Sequence, residues 1–100
     1  LAVAHQGWPT LDVRRLRVRV SVDGTRLRHQ PPVPFRGAVG FRGAPSGPFN
    51  SATDPRWEVN EVAALRLAGT NAPALRPGAT VRVEISRDGD VVAAVEAVAA

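Results

Sequence analysis

The sequence predicts an all-β fold, a small antiparallel β-sandwich of about seven strands. Apolar and polar residues alternate with a period of two in several short segments, which is typical of half-buried strands. Dipeptides that favour tight turns separate these segments, and no apolar run approaches the roughly 20 residues of a membrane helix. The 100 residues fit a single domain, 1–100, with one core, and a small β-barrel is the alternative.

The alternation and the short apolar runs predict seven strands, at 1–5, 12–22, 25–29, 38–41, 57–67, 80–86 and 90–98. The fifth is the least regular, because Glu61 interrupts the alternation in the way a β-bulge would. A short helix is the alternative there, since Asp54 is a good N-cap and Pro55 a good first helical residue.

The first predicted hairpin turns at Asp23-Gly24, because glycine tolerates the positive φ that such a turn needs. This turn pairs Val20 with Leu27 and Arg19 with Arg28. One face of the hairpin is then apolar. The other face carries five arginines, which we call the basic face: Arg15, Arg17, Arg19, Arg26 and Arg28.

The basic face reflects an uneven distribution of charge along the chain. All 13 basic residues are arginine, the net charge is +4, and residues 1–50 carry eight arginines against two acids. The arginine side chain suits phosphates and carboxylates, which predicts an anionic partner for this face. The competing interpretation is a solvated outer face of the sandwich, with Glu58, Glu61 or Glu84 near it.

Segment 31–55 is predicted to be a long loop, because it holds six of the nine prolines and four of the nine glycines. Within it the sequence Phe35-Arg36-Gly37-Ala38 recurs as Phe41-Arg42-Gly43-Ala44. The favoured interpretation is that the two phenylalanines fix the loop to the core. The alternative is a binding loop in which the aromatic rings stack on nucleic-acid bases and the arginines contact phosphates.

The second predicted hairpin turns at Asp88-Gly89 and pairs Ile85 with Val92. Val91 and Val95 would then lie together on a partly apolar outer face. Residues 77–92, from Pro77-Gly78 through the alternating Val81, Val83 and Ile85 to the returning strand, resemble the closing hairpin of bacterial Ig-like or fibronectin-III-like modules. This resemblance implies a β-sandwich.

Catalytic and metal-binding chemistry has little support in the sequence. The chain has no cysteine, which excludes disulfides, zinc ribbons, iron–sulfur sites and thiol nucleophiles. An active site would require His5, His29, Asp54 and Glu58 to converge, and their spacing does not predict this. Trp8 and Trp57 have two interpretations, as a sugar-stacking platform or as core residues. We therefore predict no catalytic residues, no metal and no cofactor.

The favoured functional hypothesis is a non-catalytic structural or interaction module of a larger protein or assembly, such as a cell-surface, secreted or virion component. Its partner would be another protein or a second copy, bound through the basic face or an edge strand. The alternative is a small nucleic-acid-binding β-barrel that uses the basic face with Phe35 and Phe41. An enzyme is the third hypothesis.

Overall fold

A computed structural model describes residues 2–5 and 9–99 of the chain. These residues form eight strands: β1 Ala2–Ala4, β2 Leu11–Asp12, β3 Leu16–Val22, β4 Thr25–Arg26, β5 Arg56–Trp57, β6 Val62–Ala64, β7 Thr80–Arg87 and β8 Asp90–Val98. Two single 3₁₀ turns, Val13–Arg15 and Gly47–Phe49, are the only helical elements of the described residues. No helix in this part of the chain has the length and apolar character needed to cross a membrane.

The strands form three antiparallel sheets. The largest has the order β4-β3-β7-β8, and the two smaller sheets pair β1 with β6 and β2 with β5. Within the described residues, β4 and β8 are the edges of the large sheet, so the sheets do not close. The structure confirms the predicted all-β class and is consistent with a small β-sandwich, and the barrel alternative is wrong.

The core lies on one face of β3 and β7, where alternate side chains point inward. Val18 and Val20 on β3 lie opposite Ile85 and Val83 on β7, and all four are buried. Trp57, which is 0% exposed, belongs to the same apolar cluster. The period-two pattern therefore specifies this sheet, because it directs one complete set of valines into the core.

Predicted strand 12–22 is interrupted by the 3₁₀ turn. The Asp12 side chain caps this turn by accepting a hydrogen bond of 3.0 Å from the Arg14 amide, and Val13 is buried in the core. A side-chain cap offers the backbone a partner outside the β-ladder, which ends β2 after two residues.

Predicted strand 57–67 is divided into β5 and β6 by a turn in which Asn60 has a φ of 71°. The Trp57 indole nitrogen donates to the Glu61 carbonyl across this turn, at 2.9 Å. The alternative helix does not form. Instead, Asp54 accepts a hydrogen bond from the Arg56 amide in a local turn, and Arg56 begins a strand that pairs with β2.

The first hairpin is shorter than predicted, because β4 contains only Thr25 and Arg26. Beyond β4, hydrogen bonds to the Val20 backbone come from the Gln30 side chain. This side chain accepts a hydrogen bond from the Val20 amide at 2.7 Å and donates one to the Val20 carbonyl at 3.0 Å. The Arg28 amide donates instead to the Ala72 carbonyl, at 2.6 Å. The predicted pairing of Arg19 with Arg28 is therefore wrong.

The second hairpin turns at Asp88-Gly89 as predicted, but its register shifts by one residue between Ile85 and Ser86. Ile85 consequently pairs with Ala93, rather than Val92, and Val83 pairs with Val95. The predicted register is wrong beyond this bulge. Val91 lies on the outer face beside Ser86, whereas Val95 shares the inner face with Val83.

The loop 31–55 lies against the core and has no regular strand at 38–41. Phe35 forms a backbone bridge with Asn50, and Phe41 forms one with Leu67. Both rings are buried, and their centroids lie 5.6 Å apart. This confirms the interpretation that the two phenylalanines fix the loop to the core.

Asn71 joins this loop to the segment after β4. Its side chain accepts from the His29 amide and donates to the carbonyls of His29 and Gly40, at 3.1, 2.9 and 3.2 Å. We expect Asn71→Asp to lower the free energy of unfolding by about 2 kcal/mol, because the carboxylate leaves two carbonyls without donors and places a negative charge beside them. Urea unfolding measures the change. Asn60→Asp, in an exposed turn, is the control, and an equal loss in both variants would contradict the assigned role of Asn71.

Candidate partner-binding groove

Two members of the basic face project from one strand and define the candidate site. Arg17 and Arg19 alternate with buried valines on β3, so both lie on the outer face of the large sheet. We call this pair the arginine ridge. The ridge separates two open grooves.

The first, which we call the polar groove, has a volume of about 510 Å³. The second has a volume of about 370 Å³ and lies between the ridge and residues 30–33. The polar groove is bounded by the 3₁₀ turn Val13–Arg15, by the outer face of β7 and by the β7–β8 turn. Across the sheet, Arg17 pairs with Ser86 and Arg19 pairs with Glu84. The lining residues are Arg14, Arg15, Leu16, Arg17, Arg19, Glu84, Ser86, Asp88, Gly89 and Val91.

Two of the arginines that line the polar groove are engaged in ion pairs. Arg14 binds Asp12 through two nitrogens, at 3.0 and 2.9 Å. Arg15 binds Asp88 at 2.7 Å, which joins the 3₁₀ turn to the β7–β8 turn. These contacts neutralise much of the charge at one end of the groove and hold its two turns together.

The hydrogen bond from the Arg14 side chain lowers the pKa of Asp12 below its ordinary value of 3.8, because it stabilises the carboxylate. The same contact raises the pKa of Arg14. Arg56 lowers the pKa of Asp54 in the same way. Since both carboxyl groups have lowered pKa values in the folded state, they contribute stability above their unfolded pKa values. This contribution to stability is lost as the pH falls through the pKa values that the two groups have in the folded state.

The Asp12 carboxyl group is therefore expected to titrate below pH 3.8 in an NMR titration of the carboxyl carbon. Removing the Arg14 side chain in Arg14→Ala removes the largest cause of the shift, so the pKa of Asp12 should rise toward its ordinary value. Arg76→Ala, which removes an exposed arginine that does not line the polar groove, is the control. An Asp12 midpoint that stays the same in Arg14→Ala would contradict this origin of the shift.

The arginine ridge itself has no such compensation. Within residues 2–5 and 9–99, Arg17 and Arg19 form no ion pair within 4.0 Å. Glu84, the cross-strand neighbour of Arg19, lies 3.7 Å from Arg82 on the same strand. Arg82 also contacts Glu96, at 3.3 Å. The arginines of the groove without an ion pair are therefore the two of the ridge, and Glu84 is the cross-strand neighbour of Arg19.

The other two members of the basic face lie outside the polar groove. Arg26 is exposed at the end of β4, opposite Ser21. Arg28 is also exposed, but it follows β4 after the chain has left the sheet. Arg28 is therefore not aligned with the other arginines by strand pairing, because the hairpin ends after Arg26. Their role in binding stays a prediction.

The loop residues that were predicted to form a binding element differ in their exposure to solvent. Phe35 and Phe41 are 6% and 8% exposed, which leaves little ring surface for stacking on a base. Arg36 and Arg42 are exposed. The Arg42 amide donates to the Arg66 carbonyl, which holds two arginine backbones side by side on the surface.

The candidate catalytic groups lie in different surroundings. His5 is 0% exposed, contacts the Trp57 ring edge-on and shares a hydrogen bond with the Pro9 carbonyl. His29 lies beside Asn71, and Asp54 is an exposed partner of Arg56. The described residues contain no group of three or more histidine, aspartate or glutamate side chains that could hold a metal ion. Trp57 is buried, as its core interpretation requires, and Trp8 lies outside the described residues.

β8 is an exposed edge of the large sheet. Val91, Val95 and Val98 on this strand are 57%, 43% and 69% exposed. Beside its inner face lies an apolar groove of about 410 Å³, which includes Val3 of β1 and Val83 of β7. Strand addition at this edge stays a prediction from the sequence.

Sequence reasoning missed several residues of the polar groove. Glu84 was named as a neighbour of the basic face, and its pairing with Arg19 confirms this; Glu58 and Glu61 lie instead in the turn beyond β5. Arg14, Ser86 and Asp88 were not predicted to line a site, whereas Val91 was predicted to belong to a separate, partly apolar partner face. The pairing of β3 with β7, which joins residues more than 60 positions apart, brings them there. The opposite charges of Arg19 and Glu84 favour this pairing, but they form a single pair between the two strands.

Comparison with known proteins finds one similar curated protein. The chain is similar to the urease accessory protein UreD 1 of Saccharopolyspora erythraea, with 38% identity. The alignment covers 76% of this chain and 39% of the relative, so the chain spans about two fifths of the relative's length. No family model matches the chain, and no solved structure matches it.

This similarity corrects the functional hypotheses drawn from the sequence. The relative is a urease accessory protein, which contradicts the hypothesis of a cell-surface, secreted or virion structural module; that hypothesis is wrong. The nucleic-acid-binding barrel also fails, since the described sheets do not close.

Proposed function

We propose that this protein is an accessory factor in the production of active urease, and that it acts by binding another protein rather than by catalysis. The observation that carries the proposal is the similarity to the urease accessory protein UreD 1 over 76% of the chain. A relationship of that extent includes most of the sandwich, rather than one hairpin or one loop.

The described surface supports a binding role. The polar groove is open and lined mainly by charged side chains, and its two free arginines lie on a rigid central strand. Catalytic sites usually bring a nucleophile or a base together with a group that orients it. The two histidines do not form such a set, since one is packed against Trp57 and the other is beside Asn71.

Urease activity in a bacterial host without urease of its own tests this proposal. The host receives the Saccharopolyspora erythraea urease gene cluster, either with the gene for UreD 1 or without it, and the present chain is then expressed in excess. We expect the chain to raise activity in the background that lacks UreD 1, or to lower it by competition where UreD 1 is present.

Trp57→Ala serves as the matched control, because it removes the centre of the core and should abolish either effect. Unchanged urease activity in both backgrounds, with the wild-type chain soluble and abundant, would refute the accessory role.

A further inference from the structure

We propose that the arginine ridge binds an extended acidic segment of a partner protein, in which carboxylates occupy alternate residues. The proposal names the chemistry of the partner, and it goes beyond the proposed function because it does not require the partner to take part in urease maturation. Three features of the described residues support it.

The first feature is the uncompensated charge of the ridge. Arg14 and Arg15 already have carboxylate partners at 2.9 and 2.7 Å, whereas Arg17 and Arg19 have none within 4.0 Å in residues 2–5 and 9–99. A guanidinium group presents a planar fork that binds a carboxylate through two hydrogen bonds. The ridge therefore offers two such forks to an incoming anion.

The second feature is the spacing of the two arginines. They are alternate residues of β3, so their Cα atoms lie about 6.8 Å apart along the strand. An extended segment repeats its side chains on one face with the same period of two residues. Carboxylates at positions i and i+2 of an extended partner therefore match the ridge, whereas carboxylates at adjacent positions would point to opposite faces.

The third feature is the mixed charge beside the ridge. Glu84 and Asp88 line the same groove, so a continuous polyanion laid along it would meet negative charge. Separate carboxylates reduce this repulsion, because the uncharged residues between them point away from the groove. The groove thus favours an acidic protein segment over a nucleic-acid backbone.

Peptide binding to the purified chain tests this proposal. The probe is a fluorescently labelled eight-residue peptide in which glutamate and threonine alternate. Its isomer carries pairs of adjacent glutamates separated by pairs of threonines, so that no two glutamates are two residues apart. Fluorescence anisotropy in low and high salt gives the affinity. We expect the alternating peptide to bind more tightly, and the binding to weaken as salt increases.

The double variant Arg17→Glu/Arg19→Glu should bind the alternating peptide at least about tenfold more weakly. Arg66→Glu/Arg76→Glu is the matched control, because it changes the net charge equally at exposed arginines that do not line the polar groove. Its affinity should change by less than about twofold. Circular dichroism checks that each variant is folded, and Arg17→Gln/Arg19→Gln replaces the charge reversal if that variant does not fold.

Several outcomes would overturn the proposal. Undetectable binding of the alternating peptide would do so, as would equal affinities for the two isomers, because the spacing argument would then fail. An equal loss in the control variant would show attraction by net charge rather than by the ridge. Tighter binding of a single-stranded oligonucleotide of matched charge would exclude a protein segment as the preferred partner.

Discussion

Gly47→Ala is expected to lower the free energy of unfolding by about 4 kcal/mol, a large part of the roughly 5–15 kcal/mol that stabilises a typical domain. Gly47 has a φ of +68°, a conformation that costs an L-residue about 1–2 kcal/mol. A methyl group there would also overlap the Val62 carbonyl oxygen and lie 3.2 Å from the Ala63 Cα atom. These are backbone atoms of β6, so the loop must move away from the sheet to relieve the overlap.

The matched control for this prediction is Gly43→Ala. Gly43 lies in the same loop and has a φ of +64°, but an added methyl group would have nothing within 4 Å. This variant should lose only about 1–2 kcal/mol, the cost of the backbone conformation alone. Urea unfolding of both variants separates the conformational cost from the overlap. Equal losses in the two would show that the loop does not pack against β6 as described.

Trp57→Ala should lower the free energy of unfolding by about 3–5 kcal/mol, because it empties the largest space in the core. The side chain is 0% exposed, packs edge-on against Phe49 at a centroid distance of 5.3 Å, and donates its indole hydrogen to Glu61. Thermal and urea unfolding, followed by circular dichroism, measure the loss.

Two further variants divide the Trp57 effect into its parts. Trp57→Phe keeps an aromatic ring but removes the hydrogen bond to the Glu61 carbonyl, and we expect a smaller loss of about 2 kcal/mol. Val39→Ala, at a position that is 70% exposed, should be nearly neutral. A Trp57→Ala variant as stable as Val39→Ala would contradict the central position of Trp57 in the core.

The parts of the fold that follow from local patterns were predictable. The alternation in β3 and β7 predicts strands whose valines face the core, and Asp23-Gly24 and Asp88-Gly89 form the expected turns. Both turns contain a residue with positive φ before the glycine, Asp23 at 49° and Asp88 at 51°. A tight hairpin turn requires positive φ at its two central residues, and the Asp-Gly dipeptide meets this requirement.

The features that depend on tertiary contacts could not be predicted in this way. The bulge at Ile85/Ser86 moves Val95 to the inner face, and no local signal marks that position. The side chain of Gln30 ends the first hairpin by binding Val20, ten residues away. As a result, the basic face was predicted in its composition but not in its geometry.

The candidate site shows the same division. The alternation of β3 places Arg17 and Arg19 on its outer face, as the sequence predicts. The groove beside them exists only because β3 pairs with β7, which brings Glu84 and Ser86 next to the ridge. Local sequence patterns therefore identify the charged residues of β3 but not the strand, β7, that lies beside them.

Co-purification tests the central claim, protein binding in urease maturation, most directly. The affinity-tagged chain is expressed with the Saccharopolyspora erythraea urease gene cluster, and proteins retained with it are identified and quantified by mass spectrometry. We expect near-stoichiometric recovery of urease or of another protein from that cluster, and none with the tag alone. Recovery of the folded chain by itself, while all proteins of the cluster are present in the lysate, would refute protein binding in urease maturation.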